Sequence, residues 1–294
     1  MGGLFDDLDK LTNEINISKD KRIIRAPFGW AGSKHKIVNQ IIPHLPYRKI
    51  YVEPFGGSGV VLLNRYESDL EIFNDRYAGI TCFYRCIRNK EKMEKLIERL
   101  DLTIHSREEF IWCKETWENV NDDVERAARW FYMISYSFST LGRNWARCRF
   151  AELGNIAGKI KNRLKEFPII HKRFEYVQIE NVDWRECLKD YDSSKTVFYI
   201  DPPYIETPPG TYKHTMLKND HRELLDIIFN LKGFVGLSGY ANPLYDNQNW
   251  DKRLIFKTKT SIEGMSFSEK DHKEHMKGLI NRSHEIEEIL WIKE

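Results

Sequence analysis

The sequence predicts an α/β protein built on a mostly parallel sheet. Three observations carry this reading. Short apolar runs alternate with amphipathic stretches of helical period along most of the chain. Several of those runs end on an acid, as in "KIYVE", "LEIFND" and "VFYID". A segment near 101–174 breaks the rhythm with helices and a basic stretch, and reads as an insertion between two halves of one α/β domain. In such a sheet the strand C-termini face the ligand, so acids at those ends are candidate site residues.

The elements follow in order. Residues 1–24 form a polar leader. "HKIVNQIIPHL" spaces Ile37, Ile41 and Leu45 for a helix that closes near Pro43. "KIYVEPF" predicts a strand, "GGSG" a tight loop and "VVLLNRY" a helix start. "LEIFND" is a second strand, and "AGITCFYRCIRNKEKMEKLIERL" one or two amphipathic helices. Within the insertion, "SREEFIWCKETWENV" and "VERAARWFYMISYSFST" predict helices, the second apolar over much of its surface and read as core. The α/β rhythm resumes with strands at "FEYVQIENVDW", "SKTVFYIDPPY" and "GFVGLSGY". Between the last two, "NDHRELLDIIFNLK" is a helix with Asn219 or Asp220 as N-cap and Glu223 near the third position. "RLIFKTKTS" and "EIEEILWIKE" predict a late antiparallel pair.

The 294 residues are 41% hydrophobic and 31% charged, a balance suited to a folded core with a polar surface. No apolar run approaches the length of a membrane span, and the leader has no apolar signal core. Gly2 is not followed by Ser or Thr at position 6, which argues against myristoylation. The five cysteines form no CxxC pair, and their odd count predicts free thiols and a cytoplasmic location. Cys82 and Cys86 share one helical face and read as buried thiols. Net charge is only +2, but residues 141–173 carry nine Lys/Arg against two acids, a local +7 that suits a polyanion. His272 and His275 in "DHKEH" lack a third ligand of matching type, so no metal is expected.

Two stretches carry chemistry. In "YVEPFGGSG", Gly56, Gly57 and Gly59 let a ligand approach the backbone at a helix start. Asp75, at the end of the next strand, stands at the distance that suits ribose hydroxyls. Glu53 ahead of the glycines is a poor neighbour for a pyrophosphate, and suits a cationic, phosphate-free nucleoside such as S-adenosyl-L-methionine. In "DPPY", Asp201 offers acceptor oxygens, the prolines fix the Pro202 carbonyl as a second acceptor, and Tyr204 offers a stacking ring. That set matches a planar base bearing an amine. Upstream, "WAGSK" places Trp30 to pack on a nucleoside and Lys34 to pair with a carboxylate.

The order of these pieces resembles the Dam-like DNA adenine-N6 methyltransferases, phage members included, in the alpha-type arrangement. "WAGSK" at 30–34 precedes "EPFGGSG" at 53–59, the insertion and "DPPY" at 201–204, with counterparts of later family features in "LSGY" and "EILW". The resemblance covers roughly residues 25–294 and is weakest inside the insertion. It implies a Rossmann-like methyltransferase fold, with a catalytic domain over 25–100 and 175–294 and a mainly helical target-recognition insertion over 101–174. It implies that Trp30, Lys34 and the loop of Glu53, Phe55, Gly57 and Gly59 hold the methionine end of S-adenosyl-L-methionine. Asp75 would take the ribose, Asp183 the cofactor's adenine amine, and Trp184 would flank that ring. Asp201 and Pro202 would hold the target amine, and Tyr204 would stack on the flipped base. Arg143 and Asn144 fall where the family has a recognition hairpin, and Arg147, Lys161 and Arg163 extend the basic DNA-binding set.

The expected activity is therefore direct methyl transfer to a flipped-out adenine in double-stranded DNA carrying a short target site, in a bacterial or phage-infected cell. A cytosine-N4, RNA or protein-glutamine methyltransferase, or a catalytically silent DNA-binding regulator, is the alternative. Asp at 201 and the large insertion favour adenine in DNA. The sequence gives neither the target site nor a restriction-enzyme partner.

Overall fold

The computed structural model describes residues 23–147, 156–205, 213–261 and 283–294. Its centre is a seven-stranded sheet in the order β3-β2-β1-β4-β5-β7-β6. The strands are β1 (Ile50–Glu53), β2 (Leu70–Asn74), β3 (Gln178–Glu180), β4 (Thr196–Ile200), β5 (Phe234–Gly239), β6 (Lys252–Ser261) and β7 (Ser283–Lys293). Pairings among β1 to β5 are parallel, whereas β7 runs antiparallel between β5 and β6. The architecture is thus the mostly parallel α/β methyltransferase type that the sequence predicts.

Strand periodicity explains why both faces are covered. Successive side chains on a strand point to opposite faces. Tyr51, Phe73, Val197, Tyr199, Leu290 and Ile292 enter one core. The short helices α1 (Val38–Ile41) and α2 (Val60–Asn64) bury their apolar residues in the same core. The strand neighbours Val52, Ile72, Phe198, Ile200, Ile289 and Trp291 enter the other.

The first core is larger because the long β2–β3 connection packs onto it. Helix α3 (Ala78–Arg88) and helix α4 (Lys90–Asp101) are separated at Asn89, whose extended backbone and side-chain cap start the second helix. Helices α5 (Arg107–Thr116), α6 (Asp123–Ser135), α7 (Ile156–Leu164) and α8 (Phe167–Phe174) follow. Trp130, Phe131, Tyr132, Met133 and Ile134 of α6 are buried, so the aromatic run is core as expected. Cys82 and Cys86 are buried on α3, with both thiols directed to the Asp123 carbonyl at 3.7 and 3.2 Å.

The second core is closed by helix α9 (Trp184–Asp190) and helix α10 (Lys218–Asn230). Helix α10 starts earlier than the sequence pattern suggests. Its N-cap is Leu217, and Asp220, third in the helix, reaches back to accept from the Leu217 amide at 2.7 Å. No described helix is long and apolar enough to cross a membrane. Residues 1–22 of the leader and the His272/His275 pair lie outside the described residues.

The α3–α6 contact is close enough to require glycine. A Cβ at Gly79 would fall 2.1 Å from Nε1 of Trp130, a side chain with no exposed surface to retreat into. Gly79→Ala is expected to destabilise the protein by about 1–3 kcal/mol through overpacking, despite alanine's better helix propensity. A fall in urea midpoint at unchanged slope would show it.

Candidate active site

The strand order reverses between β1 and β4, each of which sends its onward connection to a different side of the sheet. Loops diverge at such a point and leave a crevice at the strand C-termini. Glu53 closes β1 there, and Asp201 follows β4 there. Asn74, fully buried at the end of β2, ties the loops together. Its amide donates to the Pro54 carbonyl at 2.8 Å and its oxygen accepts from the Val182 amide at 2.9 Å.

The glycine loop is shaped by two left-handed residues, Gly57 at φ 51° and Gly59 at φ 65°, a conformation in which a side chain is strained. Asp75 accepts from the Gly57 amide at 2.9 Å and from the Tyr77 amide at 2.8 Å, so it braces the loop as well as facing the cleft. Burial raises its carboxyl to about 6 against those two bonds. Glu53 is buried, and burial raises it to about 8, opposed by the Tyr51 hydroxyl at 2.7 Å and by Arg65. In the cleft as it stands, Glu53 is therefore largely protonated at neutral pH. The cleft opens to solvent on one side and is walled by aromatic, glycine and acidic residues. Trp30, Lys34, Glu53, Phe55, Gly57, Asp75, Trp184 and Asp201 all line it. Gly59 and Asp183 do not. Asp183 caps α9 and pairs with Arg76 at 3.1 Å and Arg185 at 3.2 Å.

At the far wall a compact ionic cluster surrounds Asp201. Lys34 is 4% exposed, and its ammonium donates to Asp201 Oδ2 at 2.6 Å and the Gly32 carbonyl at 2.6 Å. Glu288 Oε1 of β7 stands 3.4 Å from the same nitrogen. The Tyr204 hydroxyl lies 3.1 Å from Asp201 Oδ1 and also hydrogen-bonds Glu288. Burial lowers the Lys34 pKa, but Asp201 and Glu288 outweigh it and hold the ammonium well above its ordinary value. Asp201 is raised to about 6, because burial and Glu288 together outweigh Lys34. Pro202 and Tyr204 are buried, and Pro203 rather than either lines the cleft. The Tyr204 ring packs edge-on against Tyr240, with centroids 4.6 Å apart.

Glu288 is the site residue that the motif reading leaves without a role, although "EILW" contains it. Its signal is phase. In "EIEEILW" it shares a strand face with Ile286 and Leu290, where an apolar residue is the norm. Tyr199, which lines the cleft and bonds Ser238 at 3.1 Å, is also new.

A second surface gathers the candidate basic residues. Residues 137–146 form a hairpin, with a bridge between Ser137 and Trp145 and a bond from the Phe138 amide to the Asn144 carbonyl at 2.7 Å. Its tip holds Ser139 and Thr140 at positive φ, strained for residues bearing a Cβ. Arg143, Asn144 and Arg147 line a groove with Arg107 and Lys114 of α5, and the Arg107 guanidinium lies over the Trp145 ring at 4.9 Å. Lys161 and Arg163 do not line it. Lys161 pairs with Asp101 at 3.1 Å, and Arg163 donates to the Ala26 carbonyl at 3.1 Å. Among the described residues no cluster of three or more His, Cys, Asp or Glu could hold a metal ion.

Removing Lys34 would strand two buried carboxylates. Lys34→Met is expected to destabilise the fold by roughly 3–5 kcal/mol at pH 8. The loss shrinks towards pH 5, where a proton on Asp201 replaces the missing charge. Urea titrations at the two pH values read both parts.

A family model described as "D12 class N6 adenine-specific DNA methyltransferase" matches residues 30–276. The chain is 30% identical over 262 residues to a type II methyltransferase, M1.LlaDCHI, of Lactococcus lactis subsp. cremoris, covering 78% of this chain and 86% of the relative. It is 30% identical over 209 residues to the DNA N-6-adenine-methyltransferase of Escherichia phage P1, covering 67% of this chain. The modification methylase StsI of Streptococcus sanguinis is 23% identical over 221 residues, 70% of this chain. The chain spans only 26% of the phage protein and 32% of StsI. With its glycine loop, its Asp201 cluster and this match over most of its length, the chain belongs to the D12 class N6 adenine-specific DNA methyltransferase family.

Proposed function

We propose that this protein methylates the N6 amine of adenine in double-stranded DNA, with S-adenosyl-L-methionine as donor. The observation that carries the reading is the Asp201 carboxylate, held by Lys34 at the end of β4 and facing an acid-lined, aromatic-walled cleft. The cleft fits the donor chemically. Glu53, Asp75 and Asp201 offer oxygens to a cationic amino acid and to ribose hydroxyls, and Trp30, Phe55 and Trp184 offer faces to a base. The donor, when bound, supplies an electrophilic methyl group on a sulfonium. A positive ligand beside Glu53 draws the proton off that carboxyl.

Each residue then has a physical task. An adenine amine is a weak nucleophile because its lone pair is delocalised into the ring. Asp201 and the Pro202 carbonyl accept its two hydrogens, pull the nitrogen towards tetrahedral geometry and free that pair for in-line attack. As the nitrogen bonds the methyl carbon and the carbon–sulfur bond breaks, Asp201 stabilises the charge that develops on the nitrogen, whose surplus proton then passes to solvent. The base must leave the duplex first, at a cost of a few kcal/mol. Stacking on the Tyr204 ring returns roughly 1–3 kcal/mol of that. Residues 25–100 and 175–294 carry the chemistry, and 101–174 read the DNA, with the groove of Arg107, Lys114, Arg143, Asn144 and Arg147 supporting a phosphate-binding role. The relatives named as modification or type II methyltransferases support a DNA-modifying role.

Labelled methyl transfer to DNA followed by nucleoside analysis tests the reading, with N6-methyladenine as the expected product. Asp201→Ala is expected to lower kcat by about 100-fold or more. An equally active variant would remove Asp201 from the mechanism. Because the ionised acid is the acceptor, the wild-type rate should fall as pH drops through about 6. For DNA, Arg143→Glu with Arg147→Glu should flatten the log–log salt dependence of binding by about 0.9 for each phosphate no longer neutralised. An unchanged slope would mean that the groove is solvated surface.

A further inference from the structure

We propose that Glu288 of β7 is a positioning residue for methyl transfer: by taking the Tyr204 hydroxyl proton and sharing the Lys34 ammonium, it keeps Asp201 Oδ1 open to the target amine. The inference rests on the adenine-methyltransferase reading above and assigns a task to a residue for which that reading has none.

Asp201 has two oxygens. Oδ2 accepts from Lys34 at 2.6 Å, which leaves Oδ1 as the oxygen for a substrate amine. The Tyr204 hydroxyl stands 3.1 Å from that same Oδ1. A hydroxyl carries one hydrogen, and it points to one acceptor at a time. If it points to Asp201, it takes one of the two acceptor sites on Oδ1 and competes there with the amine. Glu288 supplies the competing acceptor, since the same hydroxyl also bonds its carboxylate. The arrangement costs Glu288 burial at 4% exposure, which an acid tolerates only with charged or donor partners. Its partners here are Tyr204 and the Lys34 ammonium at 3.4 Å, both inside the cluster. Across the sheet, Glu288 is registered with Phe256, which offers it no polar group. A carboxylate with a purely structural task would bond its own strand neighbours or the surface. Among the described residues, the Glu288 carboxylate bonds groups that themselves touch Asp201.

The position also explains how the pieces stay aligned. Lys34 lies in the loop before helix α1, Asp201 and Tyr204 follow β4, and Glu288 sits in the last strand. The ammonium between the carboxylates fixes three separate chain segments at one point. Loss of Glu288 frees Tyr204 to donate to Asp201 and lets the ammonium shift wholly onto Oδ2.

Steady-state kinetics of Glu288→Gln in the full chain test the proposal, with DNA and S-adenosyl-L-methionine as substrates. The amide keeps size and an acceptor oxygen but loses the charge that competes for the hydroxyl proton. The expected result is a kcat lower by about 10- to 100-fold, with KM for S-adenosyl-L-methionine changed less than about threefold. The acid limb of the rate profile should move to lower pH, because the carboxylate that raises Asp201 has gone. The other titratable groups facing this cluster are Lys34, Tyr199, Tyr204 and Tyr245, and all are retained in the variant. Adding Tyr204→Phe removes the competing hydrogen, so the double variant should recover much of the loss. A kcat within about twofold of wild type, or a loss that Tyr204→Phe does not relieve, overturns the proposal. A thermal melt of each variant separates misfolding from mispositioning, since misfolded protein gains nothing from the second substitution. Wild-type protein that fails to methylate adenine would instead overturn the parent reading.

Discussion

One ammonium group set between two carboxylates in the interior is the constraint around which this site is built. Removing three charges from water is costly, and the cost is met only if the groups meet at bonding distance. Lys34, Asp201 and Glu288 do meet, although they come from the chain start, the middle and the last strand. The geometry of the sheet must therefore be accurate where β4 ends and at the middle of β7. One positive charge against two negative ones also leaves the pocket with an excess of negative charge. Such a field favours a cationic guest, as the proposed sulfonium donor would be.

The cleft holds carboxyls tuned to different protonation states. Glu53, walled in at the end of β1, titrates at about 8, whereas Asp201, paired with Lys34, titrates at about 6. At neutral pH one is largely a neutral acid and the other an anion. Environments that push like groups apart in this way mark sites where each has its own task. In the proposed reaction the neutral acid faces the donor and ionises when a cation arrives, and the anion faces the amine and is ready beforehand.

Much of this is legible in the sequence, and the reasons are physical. Apolar runs closing on Glu53 and Asp201 declare strand ends, because a buried strand has no other use for an acid at that place. The glycines at 57 and 59 occupy left-handed positions that few other residues tolerate. These signals are local. The partner of Lys34 is not local, since Asp201 lies 167 positions on and reaches it only through the reversal of strand order. Glu288 is hidden for a related reason: among the acids of "EIEEILW" only strand phase distinguishes it. The inward pose of Tyr204, 9% exposed, is tied to Glu288 and shares its obscurity. The cap of α10 sits two residues before Asn219, because an aspartate can serve a helix start from the third position as well as from the first.

The insertion of β7 between β5 and β6 bears on how the fold assembles. β5 gains its outer neighbour only when the final strand arrives, and until then its edge is open to other chains. The same strand delivers Glu288, so the ionic cluster stays incomplete while the chain is being made. Asp201 therefore lacks its full surroundings until β7 has paired. A nascent or truncated chain would hold the glycine loop and the basic groove without the finished acceptor. The chief hazard of such a chain is aggregation through its unpaired strand.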